Sequence, residues 1–182
     1  RTATADLAAG RLPWISFKAP HSWADMANGA GDAWAKDLAT KLSKVDGPVW
    51  VAVHHEPQGD GKMANWTTMQ ERLAPIIRKA APNVAYSIIL TGWNALYGPA
   101  EDRLENLWPN TKIDIAGFDS YNQYGLVKNG KTVTKHTDLA GDYFKLFEAW
   151  AEKKDLRWGI AETGYSHAAA KDRPKWMADT FD

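Results

Sequence analysis

Cysteine is absent from the 182 residues. That excludes disulfides, thiolate metal sites and a cysteine nucleophile, and leaves the redox compartment open. No apolar run comes near the roughly 18 residues that would cross a membrane. Charge of one sign is missing too: 22 Lys and Arg balance 22 Asp and Glu, the formal net charge is zero, and no basic run occurs. Neither nucleic acid nor an anionic membrane is expected as a partner. There is no G-x-G-x-x-G, no P-loop and no G-x-S-x-G, which argues against dinucleotide binding, NTPase chemistry and an α/β-hydrolase esterase. The chain opens at Arg1 with neither an initiator Met nor a signal peptide, so it reads as cut from something longer. With no repeat and no low-complexity linker, residues 1–182 are expected to form one domain, accompanied by other domains or a larger assembly.

What is abundant is tryptophan, at 10 residues, with 6 Tyr and 5 Phe. Aromatics in loops after strands make flat platforms for sugar rings, whereas those on a helix or strand period fill a core. Trp34, Trp50 and Trp150 have the second pattern. Trp66 is open between a platform and an inward-facing helix residue.

Apolar segments alternate with helical patterns five times. Leu12 to Phe17 reads as a strand ending at Lys18. A helix from about Ala33 to Lys44 follows, then a buried strand, Val49 to Val53. A helix from about Trp66 to Ala80 contains Pro75, which predicts a kink or a late start. Ala85 to Thr91 is the third strand, and a short helical turn near Glu101 to Trp108 leads to the fourth, Ile113 to Phe118. Gly125 to His136 reads as a hairpin-like excursion around Asn129-Gly130. Asp138 can cap a helix, Leu139 to Lys153, with Tyr143, Leu146, Phe147 and Trp150 buried. Trp158 to Ala161 is the fifth strand, before a helix near Lys171 to Phe181.

Such alternation specifies a parallel sheet. Polar residues end every strand: Lys18, Glu56, Trp93 with Asn94, Asp119 with Tyr121, and Glu162. A site shared among so many strand ends favours an α/β fold of the (β/α)8 TIM-barrel type over an open sheet. Five βα units are too few to close it, so the barrel is expected to be incomplete here.

Two carboxylates, Glu56 and Glu162, each close a short apolar strand. Retaining glycoside hydrolysis needs such a pair, one acid to protonate the leaving oxygen and one carboxylate about 5 to 5.5 Å away to attack the anomeric carbon. A strand-end Glu can also be a salt-bridge partner only. His54 and His55 alternate sides on the strand, and His55 is expected in the site. No second His stands at a metal-binding spacing, so no metal is expected. His21, His136 and His167 read as surface residues, and Asp60, beside glycines, as a turn residue.

The motifs Val-His-His-Glu-Pro, Gly-Phe-Asp-Ser-Tyr-Asn and Ile-Ala-Glu-Thr-Gly give a fuller reading. From Leu12 to about Tyr165 the chain resembles the family 26, mannanase-like glycoside hydrolases of the retaining TIM-barrel clan. The resemblance implies that strands three to seven of the barrel are represented. It implies Glu56 as acid/base, Glu162 as nucleophile, Tyr121 as the nucleophile's hydrogen-bond partner and His55 as a substrate contact. It also implies a polysaccharide substrate, action outside the cell or on a particle surface, and no cofactor. Pro57 and Gln58 depart from the bulkier residues many relatives carry after the acid, which puts mannan specificity in question. Trp93, Asn94, Asp119, Asn122, Trp66 and Lys18 complete the expected substrate-binding set. Burial among imidazoles and aromatics should raise the pKa of Glu56, while a phenol should keep Glu162 ionised. The alternative is a non-catalytic carbohydrate- or receptor-binding domain of a larger surface or phage-particle assembly.

Overall fold

The computed structural model describes residues 2–181. Its centre is a five-stranded parallel sheet of β1 (Trp14–Phe17), β2 (Val49–Val53), β3 (Val84–Thr91), β4 (Ile115–Asn122) and, after the short hairpin strands β5 (Val127–Lys128) and β6 (Lys131–Thr132), β7 (Arg157–Tyr165). The strands of the sheet lie side by side in chain order, β1-β2-β3-β4-β7. That order, with helical crossovers, is the wall of a (β/α) barrel from which strands are missing.

Period-two alternation splits each strand between two environments. On the outer face, Val49, Val51 and Val53 of β2 and Tyr86, Ile88 and Leu90 of β3 are buried against helices. The principal cover is α4 (Met63–Ala80), whose Trp66, Met69, Leu73 and Ile77 recur at helical spacing and are all buried. This helix begins earlier than the expected Trp66 and runs unbroken through Pro75. The partner helices are α3 (Asp32–Leu42) and α7 (Lys145–Lys153). Phe147 of α7 stacks on Phe118 of β4 at 3.7 Å between ring centroids. Tyr86, desolvated completely so that its pKa rises, donates to Gln70 Oε1 at 2.6 Å, and Gln70 Nε2 donates to the Val53 carbonyl.

The concave inner face is filled differently. Trp14 of β1 packs edge-on against Trp50 and donates through Nε1 to Ser87 Oγ at 2.8 Å. Its ring reaches across to β4 and β7, where glycines make room. A Cβ on Gly117 would come within 2.6 Å of Trp14, and Gly159 lies beside it in register. The indole therefore supplies the layer that side chains of closed-barrel strands provide.

Several local expectations shift. Asp138 does cap, accepting from the Gly141 amide, but the turn Ala140–Phe144 is a π-helix that runs into α7. Leu146 consequently ends 42 % exposed, against the buried position expected. The single terminal helix is two, α8 (His167–Asp172) and α9 (Trp176–Phe181), separated at Pro174, which cannot continue a helix from the residue before it. Three short helices were not anticipated, α1 (Ala3–Ala8), α2 (Trp23–Ala27) and α5 (Gly92–Tyr97), while α6 (Leu104–Leu107) falls within the helical turn expected near Glu101 to Trp108; Thr2 and Ser22 cap α1 and α2 through their hydroxyls.

Candidate active site

The C-terminal ends of β2, β3, β4 and β7 converge on a group of carboxyls, and the backbone is irregular where it delivers them. After Val53 the chain turns sharply through His54 and Glu56, whose φ values of 56° and 48° lie in the left-handed region. For residues with a Cβ this costs about 1–3 kcal/mol each. The turn is held by the Glu56 amide, which donates to the Ile89 carbonyl at 2.9 Å. It also parts the two imidazoles as alternation requires. His55 Nδ1 meets Ser16 Oγ at the end of β1. His54 turns outward, accepting from Trp23 Nε1 at 3.0 Å and facing Asp60 through Nε2 at 3.1 Å. Burial lowers the pKa of His54, the Asp60 carboxylate opposing it.

Glu162 arrives by a different device. The β4–β7 register runs Phe118 with Ile160 and then Asp119 with Glu162, so Ala161 is an extra, bulged residue. Strict alternation from Gly159 would send Glu162 to the helix side; the bulge brings it onto the concave face beside Asp119. Tyr121, two residues along on the same face, donates to Glu162 Oε2 at 2.5 Å. Burial and then the Glu162 carboxylate push the Tyr121 phenol up, so it stays a donor.

Asp119 sits between these elements, aligned with Thr91 on β3 and with Glu162 on β7. It is 2 % exposed and neither carboxylate oxygen has a hydrogen bond of normal geometry. Burial, followed by the negative charges of Glu56 and Glu162, raises its pKa to about 8. The same charges act on Tyr121, so Glu56, Asp119, Tyr121 and Glu162 form one electrostatic cluster. Among the described residues no group of three or more His, Asp and Glu is arranged to hold a metal ion.

A cleft of about 420 Å³ opens beside the cluster, lined by Thr91, Trp93, Asp119, Tyr121, Lys128 and Tyr143 among others. Trp93 is the second residue of α5 (Gly92–Tyr97) and is 55 % exposed, an open ring at the rim of the cleft. Gly92 is obligatory, because a Cβ there would lie 2.3 Å from Ser120 Oγ. Asn94 also lines the cleft, with its amide donating to Asp102 at 2.8 Å. A separate cavity of about 670 Å³ lies at the opposite, N-terminal ends of the strands. Neither Glu56 nor Glu162 lines either cavity; Asp119 and Tyr121 are the members of the cluster that open onto the 420 Å³ cleft.

Two expected substrate contacts, Trp66 and Asn122, are corrected. Trp66 is 1 % exposed, its indole donating to the His54 carbonyl; it supports the strained turn from beneath and cannot be a sugar platform. Asn122 is fully buried, donating to His136 Nδ1 and accepting from the Tyr124 amide. Lys18, at the end of β1, is exposed and pairs with Asp60 at 3.1 Å. His136 is no surface residue either. It stacks on Tyr124 at 4.0 Å and its Nε2 meets Asp172 at 2.8 Å, tying the β5–β6 excursion to α8.

Strand-end carboxylates on a parallel barrel wall, one held by a tyrosine, define the class of (β/α)-barrel glycosidases. The chain belongs to the cellulase family, glycosyl hydrolase family 5, which matches it over residues 13–181. Among solved structures it is similar to Thermotoga maritima Cel5A, crystallised with mannotriose, at TM-score 0.70 and 18 % identity over 97 % of this chain and 62 % of that one. It is also similar to the Cellulomonas fimi endo-β-1,4-mannanase of family 26, at TM-score 0.63 and 18 % identity over 90 % of this chain and 42 % of that one. The family 26 resemblance of the motifs and the family 5 membership meet in one TIM-barrel clan, and the chain spans less than two thirds of either neighbour. No curated protein matches it significantly.

Proposed function

We propose that the site is that of a retaining endo-β-glycanase, mannanase-like in substrate, with Glu162 as nucleophile and Glu56 as acid/base. The observation that carries the reading is the Tyr121–Glu162 hydrogen bond on a strand bulged to face the concave side. A bulge, a positive-φ turn and a tyrosine clamp are costly devices for a surface salt bridge, and neither Glu makes one among the described residues.

In the proposed double displacement Glu162 attacks the anomeric carbon while Glu56 gives its proton to the departing oxygen, forming a glycosyl ester. Glu56, now a carboxylate, deprotonates water, which cleaves the ester with overall retention. Tyr121 holds Glu162 in line through its hydrogen bond to Oε2. Trp93 offers a stacking face at the cleft rim and Asn94 lies in its polar lining, while His55, held by Ser16, is assigned as a further substrate contact next to Glu56 in the chain. The chemistry needs neither a metal nor an organic cofactor. Polymeric substrates of this kind are met outside the cell, so action there or on an exposed surface is part of the proposal.

The test is turnover of mannan and of mixed β-glucans by the chain and by Glu162→Ala. Loss of activity that azide restores, giving a glycosyl azide of inverted configuration, supports the assignment. Full activity in Glu162→Ala overturns it. Binding of mannan without turnover by the unaltered chain would instead support the carbohydrate-binding alternative.

A further inference from the structure

Asp119 has no task in the double displacement, yet the fold goes to some length to bury it. Its side chain lies in the floor of the cleft with both oxygens out of contact with water and without a hydrogen bond of normal geometry. An ionised carboxylate left so costs several kcal/mol, and a protonated one far less. The groups that act on it come from three elements: Glu56 from the turn after β2, Glu162 from β7, and Tyr121 from its own strand. The neighbouring strand β3 contributes only Thr91 in register. Two of these groups are acids that repel a negative Asp119, and no Lys, Arg or His charge is among its influences. The Glu162 backbone N–H favours the ionised form, but more weakly than burial and the two carboxylates oppose it.

We propose that Asp119 is a protonated carboxylic acid at neutral pH, keeps that proton through turnover, and acts as a positioning residue by offering its O–H to Glu56. The inference rests on the reading of Glu56 and Glu162 as the catalytic pair. Glu162 already has a donor in Tyr121, whereas among the described residues the side-chain donor to Glu56 is Thr91 Oγ1, at a long 3.4 Å. Glu56 is also the carboxylate within reach of a proton on Asp119. When Glu56 gives its own proton to the leaving oxygen, the charge appearing on it meets the Asp119 O–H. When Glu56 takes a proton back from water, Asp119 is unchanged. No net proton passes through Asp119. Its ionisation replaces the donor by a second negative charge, makes Glu56 hold its proton more tightly, and slows the first step.

The experiment is an infrared titration of the chain with 13C-labelled aspartate carboxyls, which separates Asp from Glu without any substitution. A protonated-Asp carbonyl band is expected at neutral pH, disappearing with a midpoint near pH 8 and absent from Asp119→Asn. Absence of the band at neutral pH, or its survival in Asp119→Asn, overturns the proposal. Should Asp119→Asn fail to fold, the midpoint of the labelled unaltered chain decides alone: near 8 upholds the protonated state, and a value in the ordinary carboxylate range overturns it. The link to Glu56 is read from kcat against pH. Asp119→Asn keeps a donor that cannot ionise and should lose the alkaline fall near pH 8, with KM little changed. An unaltered alkaline limb overturns the link. The infrared result needs no turnover, so it stands or falls apart from the glycosidase assignment: a titrating band with full activity in Glu162→Ala sinks only the latter.

Discussion

The two ends of one concave surface are built on opposite terms. Towards the strand N-termini, Trp14 covers Gly117 and Gly159, its N–H is answered by Ser87, and Ser87 in turn donates to the Val51 carbonyl. At the strand C-termini the backbone enters the left-handed region twice, β7 is bulged, and a buried carboxyl goes without a partner. One end is packed and satisfied, the other strained and unsatisfied. Local unfavourable choices that the surrounding fold holds in place are found at functional sites, and here they fall on or beside the three carboxyls, Glu56, Asp119 and Glu162.

That contrast can be broken or sharpened by substitution. The greatest effect is expected at the strained end on activity alone: Glu162→Ala should lower turnover by roughly 10²–10⁴-fold or more and leave the thermal midpoint nearly unchanged, because the side chain is exposed. At the packed end the effects should reverse. Gly117→Ala places a methyl 2.6 Å from Trp14 and 2.9 Å from Ile89, and denaturant unfolding should show a loss of about 1–3 kcal/mol. Tyr86→Phe leaves the buried Gln70 Oε1 without its donor, at a cost of about 1–3 kcal/mol in the same measurement.

The sign of the pH dependence is set by Asp119. Its folded-state pKa of about 8 lies above the ordinary 3.8, so between those values the folded chain holds a proton that the unfolded chain releases. Its contribution to stability is therefore complete below about pH 4 and is lost as pH rises towards 8. Asp119→Asn should flatten that slope and be more stable than the parent in mild alkali, as thermal scans across pH would show. The smallest effect belongs to the rim: Asp60→Asn, which weakens an exposed pair with Lys18, should change stability by less than about 1 kcal/mol.

Much of this was legible in the sequence. Apolar runs of strand length separated by helical periods specify a parallel sheet, and the strand-final polar residues mark the correct rim. What escaped follows from the physics of each position. Ala161-Glu162 reads as plain alternation, since a bulge depends on the pairing of β7 with β4 and leaves no local trace. Asn122 closes a strand among the rim residues and His136 ends the segment read as an excursion; Asn122 is buried against His136 and Tyr124, and His136 stacks on Tyr124 and meets Asp172, 36 residues further on, contacts that no local pattern announces. Trp66 lay open between platform and core, and the start of α4 at Met63, three residues earlier, turned its ring beneath the site. The isolation of Asp119 arises because three separate elements bring acids and no base to one point.

The central claim, that Glu162 is the nucleophile, is tested most directly by trapping the ester. A 2-deoxy-2-fluoro manno-configured substrate with a good leaving group should leave a glycosyl mass on the intact chain, and peptide mapping should place it on Glu162. A label on another residue, or release of the leaving group with no covalent adduct at any time, would contradict the account.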